Sequence, residues 1–575
     1  MRKNRLSYLQ SRYLVAAGSF LAILAFYLYT LCPDVYLIDS GELAAVSVTL
    51  GIAHPTGYPL YTLISYLIAH LPGEPIWNLN LLSGFFSIAA AAFLYALARR
   101  ITGSKILPVL TISLFAFSPI IWRTSVTNEV HALTGLFATL LLFLVYRCDN
   151  ERIMYLIMYV IGLSLTNHMM IVSLAAPIVI YILVSHRPGF TKIAIGFVLL
   201  MFGLTMYYYL MARTHGGAEL AWGNTVNVER TLWHISGKQY RVWMFSLSQS
   251  EVVQNLINGG QILARNFLYV LAIPSLIGFY ALYKENRGIF WLLLTILTLN
   301  VLYTINYSIP DIESYYIPTF IVLVIGFTYG IKQLRKYLKT VVVLPLALAI
   351  PIINHNSCTM RGNTFGMDFA QAHTTMLPHS SLLITPYWDI YAPLMYSREI
   401  ENKRPDLVII DKELLRRTWY LLYLEREYSD FYTTVKPSVD AYLTELEKFE
   451  YGRPYEPQTI QARYVEMLES FIEARMEQGV FFCSPWPDYD FEAAKPQYPR
   501  IPFGLVYKII RNGESVYFDF DEFNLKRPPI VNDERVKSNL HAVRNMLRRN
   551  LGYLQFTENE EQAAKVRNLL RTFGP

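Results

Sequence analysis

The feature that most constrains this fold is the uneven distribution of apolar residues along the chain. Long apolar runs, such as Tyr13–Leu31 and Ile193–Leu210, crowd the first part, whereas charged residues dominate after about Asn354. Over the whole chain, 53% of residues are hydrophobic and 16% are charged, which exceeds the apolar content of ordinary soluble domains. The sequence therefore predicts one region in a lipid bilayer and another in water.

A hydropathy window of about 19 residues predicts about eleven membrane spans. They lie near 13–31, 79–98, 106–122, 130–146, 153–166, 168–185, 192–211, 267–283, 289–307, 316–333 and 340–354. The first run follows several basic residues, as in a signal peptide, but it is long enough to span a bilayer and no small-residue cleavage site follows it. We therefore interpret it as a retained helix, and we predict a polytopic α-helical membrane domain over 1–354.

The charges of the connecting segments predict the orientation. Every second segment carries lysine and arginine, for example Arg99, Arg100 and Lys105, whereas the first outer loop, 32–78, contains neither residue type. By the positive-inside rule the N-terminus is cytoplasmic, and an odd number of spans places residues 355–575 on the extracytoplasmic side.

Two predicted outer loops, 32–78 and 212–264, are longer than simple connectors, and loops of this length usually have a function. Within the first, the apolar stretch Tyr58–Leu71 is too short for a span and predicts an interfacial or re-entrant helix. The second loop contains several tryptophans, including Trp222, as is typical of a membrane interface.

Residues 355–575 are predicted to form a soluble α/β domain. Ser381–Thr385, Trp388–Ile400 and Asp406–Asp411 have the pattern of a strand, a helix and a strand, spaced for a parallel crossover. Further strands are predicted at Gly479–Ser484, Gly504–Ile510 and Ser515–Phe520, and helices at 412–426, 458–477, 532–550 and 560–572.

Charge and cysteine content exclude some classes of function. The net charge of +6 is modest and spread through short loops, so a nucleic-acid-binding surface is not indicated. The four cysteines lie far apart without a CxxC pair, which indicates neither a metal site nor a disulfide framework.

The first outer loop carries two carboxylates, Asp39 and Glu42, followed by His54 and Tyr58. The spacing of Asp39 and Glu42 fits a capping box at the start of a helix over Ser40–Leu50. An acidic pair at a membrane–water boundary is equally suited to take a proton from an alcohol beside a lipid-borne substrate. The two interpretations can hold for different members of the pair.

Several motifs resemble one family, the transmembrane-protein-260-type protein O-mannosyltransferases and their bacterial relatives, formerly a domain of unknown function. The most specific is D-S-G-E-L followed by L-G-I-A-H-P-T-G-Y-P-L-Y. Similar stretches are Gly162–His168, Trp222–Asn224 with His234 and Tyr240, Ile305–Pro318, and, in the soluble region, Thr385 through Trp388–Asp389 to Arg404–Asp406 and Trp419–Tyr420. Asn224 stands where the family has an acidic residue, so no acid–base role is assigned to it.

The resemblance implies a GT-C type glycosyltransferase in a bacterial inner membrane, with its C-terminal domain in the periplasm. It would move a sugar, mannose above all, from a polyprenyl-phosphate carrier to Ser or Thr hydroxyls of secreted or membrane proteins. A carboxylate of the first outer loop would be the general base, with Asp39 the first choice and Glu42 the second. No cofactor is required, because polyprenyl phosphate is already a competent leaving group, and a divalent metal is left open.

Substrate-binding candidates are polar or aromatic residues of the outer loops and turns. They are His54, Tyr58, Asn167, His168, Trp222, Arg213, Lys238, Arg241, Asp311 and Glu313. The basic residues, with Arg123, could stabilise the phosphate leaving group. Each basic residue could equally be an interface anchor. Asn167 and His168 could form a polar turn, Asp311 and Glu313 could lie in a solvated loop, and His54 could pack or cap.

Two alternatives remain open. The chain could transfer a lipid-linked sugar to an envelope glycan or lipid. It could also be a membrane transporter or a scaffold without catalysis, although we find no internal repeat of the kind that transporters contain.

Overall fold

A computed structural model of the chain describes residues 2–309, 311–483, 498–511, 516–528 and 533–574. The chain divides into two compact units. The first comprises Met1–Pro33, Leu50–Ala218 and Thr225–Gly362, and the second comprises Asp34–Thr49, Glu219–Asn224 and Asn363–Pro575. The sequence predicted two domains, 1–354 and 355–575, with a single boundary, and this division remains a prediction. Each compact unit is instead built from three separate segments of the chain.

The first unit is helical in its described residues. Its α-helices are Arg2–Thr30, Pro59–Ala69, Pro75–Thr102, Leu107–Ala116, Pro119–Ser125, His131–Val145, Glu151–Leu165, Val172–His186, Phe190–Leu204, Tyr208–His215, Val228–Ile235, Gln249–Asn266, Ala272–Glu285, Arg287–Ile305, Ile317–Gln333 and Thr340–Cys358. Short 3₁₀ helices are Met169–Ile171, Thr205–Tyr207, Lys238–Trp243 and Ile312–Tyr316. Each of the eleven predicted spans coincides with one of these helices or with a consecutive pair, and the short helix predicted after Tyr58 is also present.

Within the described residues, six helices are long and apolar enough to cross a membrane, or seven if the pair Leu107–Ala116 and Pro119–Ser125, bent by 66°, counts as one span. The helix Phe190–Leu204 exposes Phe190, Val198 and Phe202 by 86%, 63% and 62%. Such apolar exposure is expected where a helix faces lipid. The prediction of an integral membrane protein is therefore confirmed, while the count of eleven spans stays a prediction.

Small residues bring two of these helices into backbone contact. A Cβ added at Gly278 would lie 1.8 Å from the carbonyl oxygen of Gly326. The helices Ala272–Glu285 and Ile317–Gln333 thus pack at a distance that a larger residue would not allow, as in many membrane helix pairs.

In its described residues, the second unit contains a five-stranded sheet of order β2-β1-β3-β5-β4. The strands are β1 Leu382–Thr385, β2 Val408–Asp411, β3 Val480–Phe482, β4 Arg500–Phe503 and β5 Val506–Ile509. β1 pairs in parallel with β2 and β3, and β5 pairs antiparallel with β3 and β4. The helix Trp388–Glu399 connects β1 to β2, so the predicted parallel crossover is confirmed.

The α-helices of this unit are Ser40–Thr49, Phe365–Ala372, Trp388–Glu399, Thr418–Glu427, Ser429–Glu450, Pro457–Arg475, Glu534–Phe556 and Glu560–Thr572, with 3₁₀ helices Leu414–Arg416 and Phe520–Glu522. The four helices predicted after residue 411 are confirmed; the last, 560–572, has the predicted ends, and the other three have shifted ends. The helix Ser429–Glu450 was not predicted, because Pro437 interrupts its pattern of apolar residues. Its buried residues nevertheless recur at helical spacing.

The strand predicted at Ser515–Phe520 is wrong from residue 516 onward, and Ser515 itself lies outside the described residues. Residues 516–519 have no strand assignment, and Phe520 begins a 3₁₀ helix. The apolar residues that suggested a strand are buried through ring contacts instead. Phe518 packs against Phe503 and Phe520, with ring centroids 5.3 and 5.0 Å apart.

Candidate active site

The two carboxylates of the first predicted outer loop lie in the second unit, at the start of the helix Ser40–Thr49. Leu43 N donates to the carbonyl oxygen of Asp39 at 2.8 Å, so the helix begins directly after Asp39, as the capping pattern predicts. Asp39 is half-buried, whereas Glu42, one turn further on, is only 1% exposed. The two carboxylates thus differ sharply in their access to solvent.

A tryptophan distant in sequence holds the side chain of Asp39. Trp388 Nε1 donates to Asp39 Oδ1 at 2.7 Å, across a sequence separation of 349 residues. A hydrogen bond to an ionised carboxylate is stronger than one between neutral groups. Trp388 therefore fixes the orientation of the carboxylate that is the first candidate for the general base.

Three tryptophans form an aromatic cluster beside this contact. The ring of Trp222, a predicted substrate-binding residue, lies 5.8 Å from that of Trp388 and 4.5 Å from that of Trp419. The buried Trp419 Nε1 has no hydrogen-bond partner in the described parts of the chain. Rigid aromatic side chains of this kind position the hydrogen-bonding edge of Trp388.

Gly41 allows the helix Ser40–Thr49 to approach the helix Trp388–Glu399. A Cβ at Gly41 would lie 2.2 Å from the carbonyl oxygen of Ala392. The glycine of the D-S-G-E motif is therefore explained by backbone contact with the helix that begins with Trp388.

Sequence reasoning did not assign roles to Trp388 and its neighbour Asp389. Asp389 is buried, accepts from the backbone N–H of Ile38 at 3.0 Å, and forms an ion pair with Arg535. The only signal was the resemblance of the Trp-Asp pair to the family motif, which gave no partner for either side chain.

In the first unit, three predicted residues form one contiguous group. His54 Nε2 lies 2.8 Å from the hydroxyl oxygen of Tyr58, and the Tyr58 ring stacks on that of His168 with centroids 5.8 Å apart and planes 4° apart. Met170 N donates to His168 Nδ1 at 3.1 Å, so this nitrogen is the unprotonated one in the neutral ring.

Two residues that were not predicted extend this group. The rings of His131 and Tyr315 lie 5.1 and 5.3 Å from that of His168. Asn167 Nδ2 donates to Thr134 Oγ1 at 2.9 Å. Asn167 Oδ1 and His131 Nδ1 are buried without a hydrogen-bond partner within the described ranges. Tyr315 had one indication in the sequence, because it lies in a stretch that resembles the family. His131 had none, because a single histidine at the start of a helix does not indicate a site.

Segments of the two predicted outer loops also meet within the first unit. The buried His234 Nε2 lies 3.0 Å from the carbonyl oxygen of Ala53. Burial lowers the pKa of His234 to about 3, so its ring is neutral near pH 7 and donates this hydrogen bond. A cavity between the loops remains a prediction.

The predicted cations have different surroundings. Arg213 Nε donates to the carbonyl oxygen of Leu50 at 2.7 Å, and the Lys238 ammonium lies 3.3 Å above the Trp233 ring. Arg241 is exposed. Arg123 donates through Nε and Nη2 to the carbonyl oxygen of Ser357, at 3.0 and 2.9 Å.

Asp311 and Glu313, the predicted acidic residues between two spans, are both half-buried. They lie at the start of the 3₁₀ helix Ile312–Tyr316, which ends in the tyrosine pair Tyr315 and Tyr316. A role in substrate binding stays a prediction for both.

The matches to known proteins include a family and two curated relatives. Residues 39–191 match the family described as the protein O-mannosyl-transferase TMEM260 N-terminal domain. The chain is 26% identical to protein O-mannosyl-transferase TMEM260 of Mus musculus over 431 residues, which cover 68% of this chain and 61% of the mouse protein. It is 23% identical over 470 residues to the Dictyostelium discoideum protein of the same name, covering 70% of this chain and 57% of that protein. The chain thus spans about three-fifths of the length of these relatives.

Solved structures of ArnT from Cupriavidus metallidurans are also similar. The apo form matches with a TM-score of 0.46 and 12% identity over 72% of this chain and 92% of that chain. The form bound to undecaprenyl phosphate matches with a TM-score of 0.45 and 12% identity over 71% and 91%.

Proposed function

We propose that this chain, whose residues 39–191 match the domain of protein O-mannosyl-transferases, is a membrane glycosyltransferase of the GT-C type. It transfers a sugar, most simply mannose, from a polyprenyl-phosphate carrier to Ser or Thr hydroxyls of a protein. The observation that carries the proposal is the half-exposed carboxylate of Asp39, oriented by Trp388 at the start of the matching segment.

The chemistry requires a base and a stabilised leaving group. The acceptor hydroxyl oxygen bonds to the anomeric carbon while the bond from that carbon to the phosphate oxygen breaks. The hydroxyl proton passes to the carboxylate, and polyprenyl phosphate leaves with the bonding electron pair. General-base catalysis of this kind contributes about 10²–10⁴-fold in rate when the carboxylate lies about 3 Å from the proton donor.

Exposure favours Asp39 over Glu42 as the base. A base must reach a hydroxyl that enters from water, and the Glu42 side chain is almost fully buried, whereas Asp39 is half-buried. Glu42 then has a structural role in the first turn of its helix.

The remaining predicted residues keep their proposed roles. His54, Tyr58, Asn167, His168 and Trp222 would contact donor or acceptor, together with Asp311 and Glu313. Arg213, Lys238 and Arg241 would stabilise the phosphate, since phosphate oxygens bind best to charged N–H donors. No cofactor is required, and whether a divalent metal assists remains open.

We also propose the orientation that the loop charges favour. The N-terminus would be cytoplasmic and residues 355–575 extracytoplasmic, in the periplasm if the membrane is a bacterial inner membrane. Donor and acceptor would then be a lipid of that bilayer and a secreted or membrane protein.

The test is sugar transfer by the purified full-length protein, with polyprenyl-phosphate mannose as donor and a Ser/Thr-containing peptide as acceptor. Asp39→Asn should lower turnover by about 10²–10⁴-fold, with little change in thermal stability because Asn caps a helix about as well as Asp. Asp34→Asn is the matched control, since Asp34 is a half-buried carboxylate five residues earlier, and it should retain turnover.

Other results would redirect the proposal. If Asp39→Asn transfers normally while folded Glu42→Gln is inactive, the base is Glu42. Normal transfer by the double variant excludes the mechanism. Transfer to a glycan or lipid acceptor, but not to the peptide, favours the envelope alternative.

A further inference from the structure

The base proposed above depends on a backbone segment, 36–39, that has an unusual conformation. Ile38, directly before Asp39, has a φ of 62°, in the left-handed region. A β-branched residue with positive φ is a strained outlier, which persists only where surrounding contacts hold it. The contacts that hold this segment therefore determine where the Asp39 carboxylate lies.

The buried side chain of Asp389 supplies the direct contact. Its Oδ1 accepts from Ile38 N at 3.0 Å. Asp389 also accepts from Arg535 Nε, at 2.7 and 2.8 Å to its two oxygens, and from Asn539 Nδ2 at 2.9 Å. A buried carboxylate needs a paired charge and satisfied hydrogen bonds, and Arg535 and Asn539 provide both.

The cap of the helix Glu534–Phe556 also contacts this segment. Tyr36 OH donates to Asp533 Oδ2 at 2.7 Å, and Asp533 Oδ1 in turn accepts from Arg535 N at 2.7 Å as the cap of that helix. Tyr36 N donates to Ser40 Oγ at 3.2 Å, which closes the turn around Asp39. The segment is thus contacted directly by Asp389 and by the cap residue Asp533, and Arg535 and Asn539 support Asp389 from the helix Glu534–Phe556.

We propose, on the basis of the function proposed above, that Asp389 and its partner Arg535 are positioning residues for the general base Asp39. Asp389 fixes the backbone of Ile38, and the adjacent Trp388 fixes the Asp39 carboxylate. The two neighbouring residues thus set the position and the direction of one carboxylate. The soluble unit would then be needed for turnover even if its only contacts with substrate are through Asp39.

The test compares ion-pair variants of the full-length protein by kinetics and by hydrogen exchange. Asp389→Asn removes the charge that pairs with Arg535 and weakens the acceptor for Ile38 N. A displacement of about 1 Å at a catalytic group can cost about 10²-fold, so kcat per folded protein should fall on the order of 10–10²-fold, with KM for donor and acceptor changed less than about threefold. Asp389→Asn combined with Arg535→Gln should recover part of this loss, since no charge is then left unpaired.

The matched control is Asp406→Asn. Asp406 forms a comparable pair with Arg404, at 2.9 Å in the same unit, and its carboxylate accepts from Ser380 N, where that of Asp389 accepts from Ile38 N. It should lower thermal stability but leave kcat unchanged. For the carboxylate contact itself, Trp388→Phe should lower kcat, because it removes the indole N–H that donates to Asp39 Oδ1.

Hydrogen exchange gives a readout that does not depend on the choice of sugar or acceptor. Amides in peptides covering 36–39 should exchange at least about tenfold faster in Asp389→Asn than in the wild type or in Asp406→Asn, because a lost hydrogen bond opens the segment locally. Unchanged exchange would overturn the inference whatever the activity. If Asp389→Asn keeps the wild-type kcat while Asp39→Asn is inactive, the positioning role of Asp389 is refuted and the proposed function stands. If Asp39→Asn itself keeps the wild-type kcat, the proposed function is refuted.

Discussion

Substitution of Gly41 by alanine tests whether the close approach of two helices positions the carboxylate that we propose as the general base. The new Cβ would lie 2.2 Å from the Ala392 carbonyl oxygen, 2.5 Å from its carbonyl carbon and 2.7 Å from Pro393 N. All three atoms belong to backbone, so no side chain can rotate away. The helix Ser40–Thr49 must therefore move by about 1 Å to restore an ordinary van der Waals distance.

The magnitudes of two opposing effects decide the result. Alanine in place of glycine favours a helix by up to about 1 kcal/mol, and less in a first turn. Overpacking costs about 1–3 kcal/mol, so the free energy of unfolding should fall only modestly. Turnover should fall further, on the order of 10²-fold, because Asp39 and Glu42 both move with the helix.

The assay measures sugar transfer and thermal unfolding of the full-length Gly41→Ala protein. The matched control is Gly552→Ala, since Gly552 lies in the helix Glu534–Phe556 with nothing within 4 Å of an added Cβ. The control should be stabilised by about 0.4–1 kcal/mol and keep its turnover. Wild-type turnover and stability in Gly41→Ala would refute the reasoning from helix contact.

Three further predictions follow from other regions. Burial raises the pKa of Asp411 to about 7, so the folded state holds a proton that the unfolded state releases above its usual pKa of about 3.9. The free energy of unfolding should therefore fall as pH rises from about 4 to 7. Denaturant titrations of Asp411→Asn should lack this dependence on pH. Gly278→Leu should destabilise the protein in detergent by separating two helices, whereas Gly260→Ala, with nothing within 4 Å of an added Cβ, should not. A topology reporter fused after Ser381 should be extracytoplasmic and one near Lys336 cytoplasmic, and opposite signals would exclude the proposed orientation.

The sequence predicted the features that depend on local patterns. The start of the helix after Asp39 follows from the spacing of Asp39 and Glu42, and the crossover from β1 to β2 follows from alternating apolar and turn residues. The positions of the spans likewise follow from hydropathy. In each case the determining residues are neighbours in the chain.

The contacts around the candidate base could not be predicted in the same way. Trp388 and Asp39 are 349 residues apart, and Asp389 and Arg535 are 146 apart. A tryptophan near the start of a helix and an arginine on a charged helix are ordinary features, and only the tertiary structure pairs them with the segment 36–39. The strand wrongly predicted at Ser515–Phe520 fails for a related reason, since its phenylalanines are buried by distant rings and not by strand pairing.

The grouping of Asp34–Thr49 with the soluble unit has a consequence for biosynthesis. Tyr36 and its partner Asp533 are 497 residues apart, so the ribosome completes the candidate active-site segment long before its supporting helix exists. At about 5–20 residues per second, the delay is roughly 25–100 seconds. Until the helix Trp388–Glu399 has been synthesised, the helix Ser40–Thr49, whose Glu42 and Ser47 are buried in the folded protein, also lacks the helix against which Gly41 packs. A chain interrupted before the helix Glu534–Phe556 would lack the contacts that Asp533 makes with Tyr36 and that Arg535 and Asn539 make with Asp389.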